Sequence, residues 1–244
     1  MKFVILCVFN FILGCKINTN MKNYDGKDYF ENKYLPLINA IDNDDELSLN
    51  NLINKDNINV IGRNNITFLY YCFLKDKKKA FTLLISKGAN PNIAFEDSDA
   101  NFNNMINVAT ELDDNFYFDI LVKVANLNVK DERGLFPIHN AIMVNNNKRV
   151  IKLLEHGANI NSQDKNGKTP IYMLCVLNDF EFAYELILKG ADTKIPNNMG
   201  ASVALIIQES KFPITTKAYK WQQKIKEELI KQGIKFPVKR LWEK

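Results

Sequence analysis

The sequence has few of the residues from which catalytic and metal sites are built. Only two of its 244 residues are histidine, four are cysteine and ten are glycine. Their spacing offers no partners for a catalytic triad or a histidine-based metal site, and the glycines form no phosphate-binding loop. Acidic residues cluster at 42–46 and 96–99, without the spacing of a calcium loop. We therefore expect no enzymatic activity, no cofactor, no metal site and no small-molecule substrate.

A large charge of one sign is missing as well. The formal net charge is +4. Outside the C-terminal tail, basic residues do not interleave with aromatic residues along one face, as nucleic-acid binding would favour. We therefore expect no nucleic-acid partner. Residues 207–244 contain ten Lys or Arg and four Asp or Glu, so this tail carries +6. Asparagine and lysine are abundant and alanine is scarce, which we attribute to codon usage rather than to structure.

The N-terminal apolar run is shorter than the roughly 20 residues that a membrane-spanning helix needs. It covers residues 3–14, is apolar apart from Asn10 and follows a single lysine. A run of this length at an N-terminus has the size of a signal-peptide core. It ends in Ile12-Leu13-Gly14-Cys15 and is followed at once by polar residues.

This segment resembles a bacterial lipoprotein signal, in which lipid is attached to the cysteine of a four-residue lipobox and cleavage takes place before it. The resemblance implies a signal peptide at residues 1–14, lipidation of Cys15, and a polar linker within residues 15–32. It also implies that a lipid anchor holds the protein to a membrane of the cell envelope. Two alternatives are an uncleaved N-terminal anchor and translation from Met21, which would place the protein in the cytoplasm.

A pattern of fixed length repeats in the second half of the chain. The run Phe136-Pro137-Ile138-His139 recurs as Thr169-Pro170-Ile171-Tyr172, and Gly157-Ala158-Asn159 recurs as Gly190-Ala191-Asp192. Pro137 and Pro170 are 33 residues apart, as are Gly157 and Gly190. A fixed period near 33 residues is typical of a stacked helical solenoid, whose function is recognition by a surface.

The pattern resembles the ankyrin repeat, in which Thr-Pro-Leu-His opens the first helix of a pair and Gly-Ala-Asp-x-Asn follows the second. The resemblance implies an all-α ankyrin-repeat solenoid of about six helix-turn-helix units. We assign the units to residues 33–62, 63–97, 98–130, 131–163, 164–196 and 197–237, followed by a tail at 238–244. The motif is clear in the fourth and fifth units, whereas the third contains an insertion and the sixth is ten residues longer than the period.

The residues of the motif have physical roles that the structure can test. Thr169 is placed to cap the first helix of its unit, and Pro170 to occupy the first turn, where no amide donor is needed. The motif histidine, His139, is expected to bond to neighbouring backbone. Gly157 and Gly190 are expected to end the second helices in a left-handed conformation.

The cysteines outside the N-terminal segment are Cys72 and Cys175. They fall in repeats three apart along the predicted stack, beyond the roughly 7 Å between Cα atoms that a disulfide allows. We expect both to be small core residues without a disulfide.

The pattern over residues 217–231 predicts an amphipathic helix, with Trp221, Ile225 and Leu229 on one side and lysines elsewhere. This helix is expected to cap the last repeat, with its lysines in solvent. The alternative is a membrane-surface structural role, in which the basic helix binds anionic lipid.

In ankyrin arrays the concave surface is formed by the turn tips and the exposed sides of the first helices. Apolar residues at those positions, rimmed by basic ones, predict a surface that binds a protein partner. The predicted partner-binding residues are Leu74, Leu112, Arg133, Leu135, Met143, Val144, Lys168, Val176 and Leu177. The alternative is that these apolar side chains are buried against neighbouring helices.

The sequence thus predicts a non-enzymatic protein–protein interaction module, an ankyrin-repeat scaffold tethered at the bacterial cell envelope. If the signal is not processed, the same array would be an intracellular or host-directed binder.

Overall fold

The computed structural model describes residues 25–96 and 102–239. The predicted signal peptide and Cys15 lie outside the described residues. The chain divides into two compact units, residues 1–99 and residues 100–244.

The first unit contains two helix pairs. Their helices are α1 (Leu35–Asp42), α2 (Glu46–Leu52), α3 (Phe68–Leu74) and α4 (Lys78–Ser86), with 3-10 turns at Gly26–Asp28, Asn32–Tyr34 and Arg63–Asn65 and a short strand, β1 (Phe95–Glu96). The second helices of the two pairs, α2 and α4, pack on each other. The core between the pairs is aromatic, because Phe68, Tyr71 and Phe81 are all fully buried.

The second unit begins with a two-residue strand, β2 (Phe102–Asn103), and continues as helix pairs. These are α5 (Met105–Glu111) with α6 (Phe116–Val124), α7 (Pro137–Met143) with α8 (Asn147–Glu155), α9 (Pro170–Val176) with α10 (Phe180–Leu188), and α11 (Val203–Glu209) with α12 (Lys217–Lys231). Each first helix contacts the first helix of the next pair, from α5 through α7 and α9 to α11. The prediction of an all-α repeat fold is confirmed.

Local capping chemistry sets where the helices begin. The Thr169 hydroxyl accepts a hydrogen bond from the Tyr172 amide at 3.3 Å, and Thr67 does the same for Tyr70 at 3.1 Å. Pro170 occupies the first turn of α9. The expected roles of the threonine and the proline are therefore confirmed.

Glycine ends the second helices as expected. Gly88, Gly157 and Gly190 have φ of 92°, 95° and 92°, a left-handed backbone that glycine adopts without steric cost. The amide of the next residue then bonds back to the helix, as from Ala158 to the Leu153 carbonyl at 2.9 Å. This closure explains why the motif reads Gly-Ala in these three repeats.

Asparagine has a structural role that the composition did not suggest. In the second unit the Asn128 side-chain oxygen accepts a hydrogen bond from the Asn159 amide, and the Asn161 side-chain oxygen accepts one from the Asp192 amide, both at 2.8 Å and 31 residues apart. Asn59 and Asn90 repeat the bond in the first unit. These three side chains each tie one repeat to its neighbour, a structural role that attribution of the asparagine content to codon usage leaves out.

The hairpin turn between α5 and α6 is built differently from four of the other turns. Four turns between paired helices place Asp44, Asp76, Asn145 and Asn178 in the left-handed region, whereas residues 112–115, between α5 and α6, have no positive φ. That turn is held instead by Arg149, reaching from α8 of the next repeat. Its side chain is almost entirely buried, and the whole residue is 3% exposed.

The Arg149 guanidinium donates to the carbonyls of Thr110 at 2.7 Å and Leu112 at 2.5 Å. It also donates to the Asp114 carbonyl at 3.2 Å and to the Asn115 side chain at 2.7 Å, and it lies 5.0 Å from the Phe118 ring centroid. Hydrogen bonds from Arg149 of the neighbouring repeat therefore hold this turn, in place of the left-handed residue found in four of the other turns.

Candidate partner-binding surface

Four exposed apolar side chains lie at equivalent places in two consecutive repeats. Met143 and Val144 end α7 with exposed fractions of 36% and 41%, and Val176 and Leu177 end α9 with 50% and 46%. We call these four residues the apolar strip. Adjacent exposed apolar groups are typical of a binding surface rather than of scattered surface composition.

The strip has defined limits within the second unit. On one side is Leu112, the half-buried C-cap of α5, whose carbonyl is held by Arg149. On the other side α11 ends in Glu209, which is exposed. The exposed apolar ends of the first helices are therefore confined to α7 and α9.

Leu135 does not belong to this surface. Its exposed fraction is only 8%, and its amide donates to the Asp131 carboxylate at 2.8 Å. The Leu135 carbonyl also accepts a hydrogen bond from the Asp131 amide at 2.8 Å. These paired bonds close the turn before α7 and turn the side chain toward the core, so the expectation that Leu135 is exposed was wrong.

Arg133 lies beside the strip with its guanidinium already engaged. It bonds to Asp131 at 2.6 Å, to the Asn140 side chain at 3.2 Å, and to the Glu111 carboxylate. Asn140 is fully buried and donates to Asp131 at 3.1 Å. The arginine therefore ties the turn tip to α5 and α7, and its side chain is about one-quarter exposed.

Lys168 is fixed through its backbone by the motif histidine. The His139 Nε2–H donates to the Lys168 carbonyl at 3.0 Å, which confirms the expected role of this residue. Burial lowers the pKa of His139, so the ring is held neutral. Lys168 as a whole is half-buried.

Leu74 ends α3 in the first unit, where it is half-buried. It occupies the same end of a first helix as the strip residues of the second unit.

Sequence reasoning missed Met199, which is 71% exposed at the tip of the turn before α11. The Asn197 side chain accepts the amides of Met199 and Ala201, both at 2.9 Å, as Asp164 accepts those of Asn166 and Lys168 at 2.8 Å. Asn197 is therefore the base of its turn rather than part of the tip. The 33-residue spacing from Asp164 to Asn197 was the signal for this register.

Comparison with known proteins identifies the repeat. Residues 105–197 match the family model of ankyrin repeats in three copies. Over this segment the fold is that of ankyrin repeats. The match covers the units in which the apolar strip lies.

Two solved structures show the same ankyrin-repeat fold. The ankyrin-repeat domain of Bcl-3, described as a unique member of the IkappaB protein family, is similar with a TM-score of 0.56 and 17% identity, over 77% of this chain and 79% of that one. The ankyrin-repeat protein EF0377 is similar with a TM-score of 0.59 and 19% identity, over 79% of this chain and 96% of that one. No curated protein sequence matches the chain.

The helix after the last clear ankyrin repeat covers the end of the array. In α12, Ile225 and Leu229 are fully buried, and the Trp221 ring lies 5.6 Å from Tyr184 of α10. Several lysines of this helix are engaged: Lys217 with Glu181, Lys231 with Glu228, Lys224 over Trp221 and Lys226 over Phe236. This arrangement supports a cap more than a basic face kept free for lipid.

Within residues 25–96 and 102–239, no three His, Cys, Asp or Glu side chains are grouped to hold a metal ion. Over the same residues, no helix combines the length and apolar character needed to cross a membrane. Cys72 and Cys175 are both buried as free thiols, and burial raises their pKa.

Proposed function

We propose that this protein is a non-enzymatic protein–protein interaction module whose apolar strip contacts the partner. The observation that carries the proposal is the repetition of exposed apolar pairs at the ends of α7 and α9. Each pair lies on a helix end fixed by the stack, so the four side chains are presented on a rigid scaffold. A few residues supply most of the energy of protein interfaces, and side chains held on a rigid scaffold lose less conformational entropy on binding.

The surroundings of the strip define the partner's complementary surface. Lys165 is exposed at the turn tip and Lys168 is half-exposed, so the basic edge lies on the turn side. We therefore expect the partner to present apolar side chains flanked by acidic ones. Arg133 contributes by fixing the turn, because its own charge is already neutralised by Glu111 and Asp131.

Site-specific photo-crosslinking in the native host tests the proposal. A photoreactive residue is placed at Val144 or at Leu177, and a control is placed at Lys148, an exposed residue of α8. We expect both strip positions to give the same discrete crosslinked partner and the control to give none. Equal crosslinking at Lys148, or none at either strip position, would refute the assignment.

We also propose that the module is tethered at the cell envelope through lipid on Cys15. Support comes from the apolar run at residues 3–14 and the polar residues that follow it at once. One acyl chain gives only reversible membrane binding, so the modified cysteine must carry more than one chain for stable anchoring.

The mass of the N-terminal peptide from the native host tests the tether. A multiply acylated peptide that begins at Cys15 is the expected result. An unmodified peptide that begins at Met1 or Met21 would remove the tether and leave an intracellular ankyrin binder.

A further inference from the structure

We infer that the groove between α11 and α12 is a binding site for a short acidic peptide of another protein, and that residues 234–239 of this chain occupy it until such a peptide displaces them. The groove lies at the C-terminal end of the second unit, apart from the apolar strip. The inference therefore does not depend on the proposed function of the strip.

The floor of the groove is fixed by a buried glutamine. The Gln222 side-chain amide donates to the Ile207 carbonyl at 2.7 Å and to the Ser210 carbonyl at 2.8 Å. These bonds satisfy carbonyls at the end of α11, which would otherwise lack partners. Gln222 therefore supplies the donor for these carbonyls, and the Gln208 side chain bonds to a different partner.

Gln208 recognises the backbone of the tail. Its side-chain nitrogen donates to the Val238 carbonyl at 3.0 Å, and its side-chain oxygen accepts the Val238 amide at 2.6 Å. Both backbone groups of one residue are thus paired, as a neighbouring β-strand would pair them. Such pairing fixes the position of a peptide without depending on the side chain at that residue.

The tail follows the groove with alternate residues facing it, and its backbone bends at Phe236 and Pro237. Ile234, Phe236 and Val238 are half-buried, and the alternate residues Lys235, Pro237 and Lys239 are exposed. The half-buried residues therefore form the face of the tail that lies on the groove. The Phe236 ring is also contacted by Lys226, whose ammonium lies 5.1 Å from the ring centroid.

The tail leaves part of the groove empty. A cavity of about 530 Å³ extends beside Phe236 and Pro237 and is also lined by Lys211, Phe212 and Tyr219. A peptide that fills this space would bury apolar surface that the tail does not cover.

The tail and its groove carry charges of the same sign. Lys211 and Lys226 line the cavity, and the tail adds Lys235 and Lys239. A peptide with the same apolar face and acidic residues at the outward positions would bring opposite charge to the groove. We therefore expect an acidic segment of another protein to displace the tail.

The full chain and two synthetic peptides test this inference. One peptide has the sequence of residues 232–239, and the other has the same sequence with Lys235→Glu and Lys239→Glu. We expect saturable binding of the acidic peptide, measured by fluorescence anisotropy, and binding of the basic peptide at least about tenfold weaker. The acidic peptide should also speed hydrogen exchange at the Val238 amide, because it displaces the tail.

Three variants assign the binding to the groove. In the Val238→Pro background, where the tail no longer competes for Gln208, Gln208→Ala should weaken the acidic peptide about tenfold, the effect of losing hydrogen bonds worth roughly 1.4 kcal/mol. Lys226→Ala should also weaken it, whereas Lys220→Ala, an exposed lysine of the same helix, should not. Val238→Pro removes the backbone N–H that donates to the Gln208 side-chain oxygen. It should therefore release the tail and tighten binding of the acidic peptide.

The tightening by Val238→Pro is a result that an unfolded groove cannot give. Absence of saturable binding, binding unchanged when Gln208→Ala is added to Val238→Pro, or peptide binding without faster exchange at Val238 would each overturn the inference.

Discussion

Arg149 is expected to be the most sensitive single position for the stability of the second unit. Replacing it with alanine removes the donors to the carbonyls of Thr110 and Leu112 and to the Asn115 side chain. The turn at residues 112–115 has no left-handed residue to hold it once the guanidinium is gone.

The bonds themselves set the size of the effect. A buried carbonyl left without a donor costs about 1–3 kcal/mol, and two carbonyls are involved. Removal of a buried charge offsets part of that loss. We therefore expect Arg149→Ala to lower the free energy of unfolding by about 3 kcal/mol, which for a chain of this size lowers the melting temperature by about 6–12 °C.

Thermal unfolding and amide hydrogen exchange measure the loss and its location. Arg149→Lys should lie between wild type and Arg149→Ala, because one ammonium cannot reproduce the planar fork of five donors. Faster exchange should be concentrated in the turn and in the adjacent ends of α5 and α6. Lys148→Ala, at the exposed neighbouring position, should change stability by no more than about 0.5 kcal/mol. Equal effects of Arg149→Ala and Lys148→Ala would refute the role assigned to the arginine.

Four further changes follow from the same contacts. Because burial lowers the pKa of His139, the unfolded chain takes up a proton that the folded chain does not. The free energy of unfolding should therefore fall as the pH drops below about 6.5. Denaturant titrations from about pH 7.5 to 5.5 should show a smaller loss of stability in His139→Gln than in the wild type. Leu135→Ser should cost about 2–4 kcal/mol, whereas Leu177→Ser should stay within about 0.5 kcal/mol, and equal melting temperatures would contradict the assigned burial. Gly167→Ala should lower the melting temperature more than Gly157→Ala. Both glycines have positive φ, but a Cβ at Gly167 would lie 2.7 Å from the Asn198 backbone nitrogen, whereas a Cβ at Gly157 would meet no atom within 4 Å. Asn161→Ala should cost about 1 kcal/mol through loss of its bond to the Asp192 amide, and no change relative to Lys165→Ala would argue against the role of these asparagine bonds between repeats.

The features that could be predicted from the sequence are those with local causes. Thr169 and Pro170 mark a helix start because the capping bond reaches only three residues. Gly157 and Gly190 mark helix ends because the left-handed backbone is a property of the glycine itself. The amphipathic pattern likewise gave both ends of α12, Lys217 and Lys231.

The features that the sequence did not reveal depend on contacts between distant residues. The role of Arg149 rests on carbonyls 37 and 39 residues earlier in the chain. Gln208 meets its backbone partner 30 residues later. Leu135 was assigned to the surface because its position beside the turn tip was known, whereas the direction of its side chain depends on the paired bonds to Asp131.

The central claim is that the apolar strip is the surface that recognises a protein partner. Its most direct test is the affinity of the Met143→Ser/Leu177→Ser double variant for the crosslinked partner, measured beside its melting temperature. We predict a loss of at least about a hundredfold in affinity, corresponding to roughly 2.8 kcal/mol at an interface centre, with the melting temperature unchanged. Wild-type affinity in a folded double variant would contradict the claim.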